Sequence, residues 1–478
     1  MFIYKIKSLK AGVFKDELFS KNFFYIETEC DILFDMENNT IVAISTPAGK
    51  SGISVVRMSG KESLDIAKQI FLCNAKEIMP RHFYLGDINL DRIKDKGMMV
   101  YFKEPNSYTG EDVVEFQCHG GSIIANKIVE CCIEKGAKLA GPGEFTKRAF
   151  INGKISLDKA EGVAELIDAE SESEVRAGYD LVNGNLFKVV TSTQKSLTDL
   201  LAEIEVNLDY PEHDIEYKTV EHIKAELEKT KKEIDDLVAT ERSGRIIKNG
   251  ISVVIAGKAN VGKSSLMNAL INFDRAIVTN IAGTTRDVLQ ESYEYKSIRF
   301  NLYDTAGIRE SDDIIEQIGV KKAKELLESA DLIVLVFDSS TQFDEEDRQM
   351  FESVKDKNVI VVLNKCDLPE KFKIDTDYIK ISTLKKEGIE QLKEEMYNKV
   401  VDENIMGNKT VITNQRHMAV LKEAQVLCEN ALFNVENMTL DCVALDIKEL
   451  WTKLGEITGE TTDEAIIDKI FSKFCLGK

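Results

Sequence analysis

Read for its apolar positions alone, the chain changes period several times. From Met36 to about residue 152, β-branched runs such as "TIVAIS" and "DVVEFQ" alternate with helical stretches such as "IIANKIVECCIEKG". That mixture predicts a region of strands, Gly-rich turns and helices. From Ser156 to Thr240 apolar residues recur at three- and four-residue spacing, in "DKAEGVAELIDAESESEV" and "VEHIKAELEKTKKEIDDLVA", which predicts helices. The first of these has an acidic opposite face, expected to be a solvated helix surface. At "NGISVVIAGKANVGKSS" the rhythm switches to alternating strands and helices and holds to about Val400. Such alternation predicts a parallel sheet with crossover helices. After Gly407 the chain is helical to its end.

These switches divide the chain. The expectation is an α/β multidomain protein: a mixed α/β domain over 36–152, the first part of a helical domain over 153–245, a doubly wound α/β domain over 246–402, and the second helical part over 403–478. Helical blocks on both sides of the doubly wound domain suggest that it is inserted into a helical one. Residues 1–35 are rich in Phe and Lys with no clear period, and are read as an N-terminal extension ahead of a start at Met36.

Composition narrows the picture further. A chain of 478 residues with 43% hydrophobic and 30% charged residues has the makeup of a soluble multidomain protein. The longest conspicuous apolar run, "LIVLVF", has the length of a buried strand and falls far short of the ~20 residues that span a bilayer. The N-terminus makes a poor signal peptide. Nine cysteines without a CxxC pair point to reduced thiols in a cytoplasmic protein, and five dispersed His residues give no metal-ligand spacing. The net charge of −20 argues against broad nucleic-acid binding. If RNA is a partner, a shaped site or a helper protein is expected.

The chemistry concentrates in the inserted domain. "GKANVGKS", Gly257 to Ser264, sits between a strand and a helix, as a phosphate loop requires. Backbone N–H groups around Asn260, Val261, Gly262 and Ser265 are expected to cradle phosphates, with Lys263 on the β- and γ-phosphates and Ser264 on Mg²⁺. "VVLNKCD" puts Asn364, Lys365 and Asp367 at a strand end, where the Asp367 carboxylate can accept both N–H groups of guanine's Watson–Crick edge. Ser382, Thr383 and Leu384 are expected to close the base pocket, Leu384 through its backbone. "DTAG" (Asp304, Thr305, Ala306, Gly307) supplies a carboxylate beyond the Mg²⁺ and an N–H for the γ-phosphate, and "GTTRD" supplies a switch threonine. Together these define a GTPase.

One slot is unusual. After "DTAG", where many GTPases carry a water-orienting Gln, stands Ile308, which cannot hydrogen-bond a nucleophile. Arg309 is adjacent and is read as an exposed arginine, not a finger. Asn260 offers another route: its amide oxygen can coordinate a monovalent cation, with carbonyls of "TNIAGTT" closing the cage and K⁺ supplying the charge of an arginine finger. A plain turn-forming Asn is the alternative.

The motif set resembles the MnmE/TrmE tRNA-modification GTPases from Met36 to Lys478. It rests on "TIVAISTPAGKSGISVVRMSG", "NSYTGEDVVEFQCHGG", "PGEFTKRAFINGKISLDKAE", the nucleotide motifs and the terminal "FCLGK". The resemblance implies a Ras-like GTPase domain and K⁺-stimulated hydrolysis of GTP driven by dimerisation of these domains in a homodimer. It implies K⁺ ligands at Asn260, Thr279, Ile281 and Thr284, and Mg²⁺ ligands at Ser264 and Thr285. Asn280, Ala282 and Gly283 complete the nucleotide loop. Glu316, in "IIEQIG", would be catalytic, holding the attacking water through a bridging water, so that the Gln role is divided between K⁺ and Glu316. The 36–152 domain would bind 5,10-methylenetetrahydrofolate or a related folate through Arg57, Glu115 and Lys154, with Lys478 reaching in from the tail. A heterotetramer with an FAD-dependent partner of the MnmG/GidA type, the FAD being the partner's, would add a carboxymethylaminomethyl or aminomethyl group to C5 of the wobble uridine of certain tRNAs.

The tail "CLGK" places a thiol, Cys475, near a cation; it reads either as a reactive thiol or as an ordinary tail cysteine. The rival to the enzyme reading is a GTP-operated binding switch such as a ribosome-assembly GTPase. Folate binding separates the two.

Overall fold

The computed structural model describes residues 39–209, 216–273, 290–304, 326–401 and 410–477, and its contacts divide the chain into two units. The first joins residues up to Ile155 with those from Asp463 onward, and the second runs Ser156–Thr462.

In the first unit, strands β1 (Ile41–Ile44), β2 (Ile53–Ser59), β3 (Phe71–Leu72), β4 (Phe83–Leu90), β5 (Ile93–Phe102), β6 (Val113–His119) and β7 (Lys138–Leu139) form one sheet, in the order β3-β4-β5-β6-β2-β1-β7. All pairs are antiparallel except β1–β7. Period-two alternation assigns the faces: Val114, Phe116 and Cys118 on β6 pack into the core under helices α1 (Ser63–Ile70) and α2 (Ser122–Glu134), while Glu115 and Gln117 point the other way. Helix α3 (Glu144–Ile151) follows.

The chain end joins this unit. Helix α14 (Glu464–Phe471, numbered in chain order) carries a buried Phe471 that meets Phe150 of α3 at 6.2 Å between ring centroids and Phe474 at 5.2 Å. The Gly143 N–H donates to the Cys475 carbonyl, and the Ser45 hydroxyl donates to the Gly477 carbonyl. By contacts, the residues from Asp463 onward thus group with the first unit, whereas the sequence pattern assigns 403–478 to the second helical part. The reason is burial: these phenylalanines find their apolar surroundings beside α3.

The second unit holds a helical part and the inserted α/β part. Helices α4 (Leu157–Asp168), α5 (Glu172–Val182), α6 (Asn185–Asp209) and α7 (Glu216–Val238) precede α8 (Glu241–Asn249). After the insertion come α12 (Gln415–Asn437) and α13 (Leu440–Thr458), which share one apolar core with α5, α6 and α7. Where the sequence suggested one continuous acidic helix, the chain breaks at 169–171, and Ser171 caps α5 by accepting the Glu174 N–H.

The acidic residues of this stretch divide: Asp168, Glu170 and Glu172 are exposed, and the other four are not. Asp158, Glu161, Glu165 and Glu174 are all buried. Glu161 accepts Arg416 Nε at 2.9 Å, Arg416 Nη2 at 2.5 Å and His417 Nε2 at 2.7 Å, and Glu165 accepts the Thr413 hydroxyl at 2.8 Å. Burial alone would raise the Glu161 carboxyl, but His417 and the Arg416 guanidinium outweigh it and hold the group down at about 2. The expectation of a hydrated face holds for Asp168, Glu170 and Glu172 and fails at Glu161, whose partners lie about half a chain away.

The inserted part is a six-stranded sheet, order β13-β12-β11-β8-β10-β9. Its strands are β8 (Ile251–Ala256), β9 (Gln290–Tyr295), β10 (Ile298–Asp304), β11 (Leu332–Asp338), β12 (Val359–Asn364) and β13 (Ile379–Lys380). Every pair is parallel except the β9–β10 hairpin. Helices α9 (Lys263–Phe273), α10 (Glu345–Val354) and α11 (Ile389–Val400) belong to it. The run "LIVLVF" is buried throughout as β11, as a central strand covered on both faces must be. Strand order reverses on either side of β8, which opens a crevice at the carboxyl ends of the strands. Among the described residues no helix is long and apolar enough to cross a membrane, and the described cysteines are free thiols.

Candidate active site

The crevice beyond β8 is a pocket of about 720 Å³. On one side it is lined by the loop from Gly257 to Ser265, and on the other by Asn364, Lys365, Asp367, Thr383 and Leu384. Two glycines let the loop turn there. Gly257 and Gly262 have φ of 152° and 99°, and a Cβ on either would run into the Val336 carbonyl or the Asn364 amide respectively. Val261 is buried in the core and offers its carbonyl, which accepts Asn364 Nδ2 at 2.8 Å.

At the phosphate end, Lys263 opens α9, where backbone N–H groups and the helix dipole favour an anion. Its ammonium donates to the Lys258 carbonyl at 2.7 Å. The Ser264 hydroxyl donates to Asp304 Oδ2 at 2.7 Å, and Asp304 is buried at the end of β10. This is a hard-oxygen pair suited to Mg²⁺. The loop is tied down by Lys258, which pairs with Asp344 and, at 3.0 Å, with Asp347, both in the capping box of α10.

At the base end, fully buried Asn364 accepts the N–H of Lys365 at 2.8 Å and of Thr383 at 3.2 Å. The Ser382 hydroxyl donates to Asp367 Oδ1 at 2.6 Å, which holds the Asp367 carboxyl below the usual carboxylate range. An ionised acceptor is what the paired N–H donors of guanine need. Leu384 is 83% exposed at the pocket mouth.

Two residues here were missed from the sequence. Leu368 lines the pocket directly after Asp367. Asp338, at the end of β11, pairs with Lys365 Nζ at 2.5 Å. Burial would raise the Asp338 carboxyl, but its bonds to Lys365 and Ser340 hold it down. The available signal was its position: an acid closing a buried parallel strand at the edge where ligands bind.

Several expected site residues lie outside the described residues: Thr279, Asn280, Ile281, Ala282, Gly283, Thr284, Thr285, Thr305, Ala306, Gly307 and Glu316, with Ile308 and Arg309, and Lys478 at the tail.

In the first unit, Arg57 on β2 stands directly across from Glu115 on β6, and Arg57 Nε donates to Glu115 Oε1 at 2.7 Å. The guanidinium lies 5.7 Å from the Tyr108 ring centroid and 5.8 Å from that of Phe145. Lys154 Nζ donates to the Pro105 carbonyl at 2.8 Å. The 105–111 loop thus touches both Arg57, through Tyr108, and Lys154, through Pro105. Cys475 is exposed.

A phosphate loop with its lysine, a hydrogen-bonded Ser–Asp oxygen pair beside it and an Asn-Lys-x-Asp base site on a doubly wound sheet define a P-loop GTPase, a hydrolase of GTP. Residues 40–154 match the family described as GTP-binding protein TrmE N-terminus, and 157–475 match the MnmE helical domain. The chain is 43% identical over 456 residues to the tRNA modification GTPase MnmE of Clostridioides difficile, covering 92% of this chain and 99% of that one. It is 40% identical over 460 residues to its namesake in Bacillus subtilis, covering 92% and 100%. The chain belongs to the MnmE family of tRNA modification GTPases. Among solved structures, Era of Aquifex aeolicus bound to GDP.AlF4- is 26% identical over 37% of this chain and 66% of that one, at a TM-score of 0.26, too slight a likeness to bear on the fold.

Proposed function

We propose that this chain hydrolyses GTP to GDP and phosphate with K⁺ stimulation, through dimerisation of its inserted domains. With an FAD-dependent partner of the MnmG/GidA type in a heterotetramer, it attaches a carboxymethylaminomethyl or aminomethyl group to C5 of the wobble uridine of certain tRNAs. The carbon comes from a folate-borne one-carbon unit, and the work is done in the cytoplasm. The observation that carries the GTP half is one pocket lined at one end by Lys263 and by Ser264, which is bonded to Asp304, and at the other by Asp367, which is bonded to Ser382.

Within that pocket the side chains have separate tasks. Asp367 selects guanine by accepting two N–H donors. Lys263 sits at the start of α9, where the β- and γ-phosphates bind, and there offsets charge that builds up during phosphoryl transfer. Ser264 and Asp304 would hold Mg²⁺, the first directly and the second through a water. Asn260 lines the pocket in a left-handed turn, φ 65°, and would contribute a K⁺ ligand together with Thr279, Ile281 and Thr284. Bound K⁺ would supply positive charge near the β–γ bridge, leaving Glu316 to aim the water. Ile308 then has no polar task.

The folate half is supported by donor chemistry. Glu115 can accept the pterin's amino and N–H groups, and Arg57, Lys154 and Lys478 suit the carboxylates of a folate. The test is mass spectrometry of tRNA nucleosides after incubating the full chain with the flavoprotein partner, unmodified tRNA, GTP, K⁺ and methylenetetrahydrofolate. A modified wobble uridine that disappears when either folate or GTP is omitted supports the proposal. GTP turnover with the uridine untouched would leave only the switch reading.

A further inference from the structure

Asp338 is outside the pocket lining, yet it is connected to both ends of the nucleotide site. Two non-glycine residues beside the pocket adopt left-handed backbone conformations, Asn260 at φ 65° and Lys365 at φ 62°. Such conformations persist only where their surroundings hold them. The link between them is one ammonium: Lys365 Nζ donates to the Asn260 carbonyl at 2.8 Å. A lysine on a flexible four-carbon stem does not stay put unaided. Here Asp338 Oδ2 holds it at 2.5 Å, while Asp338 Oδ1 accepts the Ser340 N–H at 2.9 Å and the Ser340 hydroxyl at 2.6 Å. Both carboxylate oxygens are engaged, so the group cannot turn away. The next residue secures the lysine's main chain: the Ser339 hydroxyl donates to the Lys365 carbonyl at 2.9 Å.

We propose that Asp338 is a positioning residue of the nucleotide site: through the Lys365 ammonium it fixes the Asn260 turn, and so couples the base-binding strand to the cation and phosphate end. The coupling to a cation rests on the reading of Asn260 as a K⁺ ligand. The coupling to nucleotide binding does not.

The test uses the full-length Asp338→Asn variant, whose amide is isosteric but carries no charge to hold Lys365. Two quantities are read: the dissociation constant of fluorescent mant-GDP, and the K⁺ concentration giving half-maximal GTP hydrolysis. Loss of a charge-assisted bond predicts roughly tenfold weaker mant-GDP binding and a several-fold higher K⁺ requirement. The double variant Asp338→Asn/Lys365→Met is expected to bind mant-GDP no more weakly than Lys365→Met alone. Wild-type mant-GDP affinity in Asp338→Asn, or additive losses in the double variant, would overturn the proposal. Equal hydrolysis by the wild-type protein in K⁺ and Na⁺ would remove the cation half alone, with the mant-GDP cycle still deciding the rest. If Asp338→Asn folds poorly, Ser340→Ala, which removes the hydroxyl bond to the Asp338 carboxylate and leaves only the Ser340 N–H on Oδ1, is expected to give the same pattern with smaller shifts.

Discussion

The nucleotide pocket and the buried ionic cluster of the helical part use the same residue types to opposite ends. In the pocket, Asp367 is fixed by a neighbouring hydroxyl and is ready to accept donors from a ligand. In the helical part, Glu161 gives its oxygens to Arg416 and His417, and Arg416 also bonds the Glu456 and Ile457 carbonyls at the end of α13. One carboxylate is arranged for a partner that comes and goes; the other is consumed by the fold. A buried acid reports function only when its partners leave room for a ligand.

The largest effect should come from the phosphate end. Lys263→Ala is expected to slow GTP hydrolysis by about a thousandfold or more while thermal stability stays near wild type, as measured by phosphate release and a melting curve. Substitution in the other region should do the reverse. Arg416→Ala leaves Glu161 buried with part of its charge uncompensated, at an expected cost of about 3–5 kcal/mol in denaturant unfolding. Little change is expected in turnover per folded molecule. A large fall in the turnover of folded Arg416→Ala protein would break the contrast.

The contrast also explains what the sequence could reveal. Each nucleotide motif is contiguous, so its chemistry and its strand context can be read together, as in "VVLNKCD". Strand period and the alternation of strands with helices located the inserted domain for the same reason. The Glu161 cluster could not be read this way. Its residues lie 255 and 256 positions apart, and an acidic stripe on a helix looks the same whether water or arginine faces it. Asp338 lies 27 positions from Lys365 and belongs to no motif. Phe471 showed that it needed a core but not which one.

The Glu161 carboxyl sits at about 2 in the fold against an ordinary 4.5, so its stabilisation is complete above 4.5 and is lost as pH falls toward 2. The stability deficit of Glu161→Gln should therefore be full at neutral pH and shrink below pH 4.5. Glu174 has the opposite sign. Burial, aided by the Glu165 carboxylate, pushes it up to about 7 against the pull of Ser171 and Lys248, so its ionisation costs stability as pH rises through that range. Glu174→Gln should match wild type near pH 4 and melt a few degrees higher at pH 8, the smallest of these effects.

The central claim, that a cation at Asn260 replaces the missing glutamine, meets its most direct test in GTP hydrolysis measured in K⁺ and in Na⁺ at equal ionic strength, with Asn260→Ala alongside. Strong stimulation by K⁺, removed by the substitution, is the expected result. Equal rates in the two salts would contradict it, and the charge at the β–γ bridge would have to come from an arginine or from a partner protein.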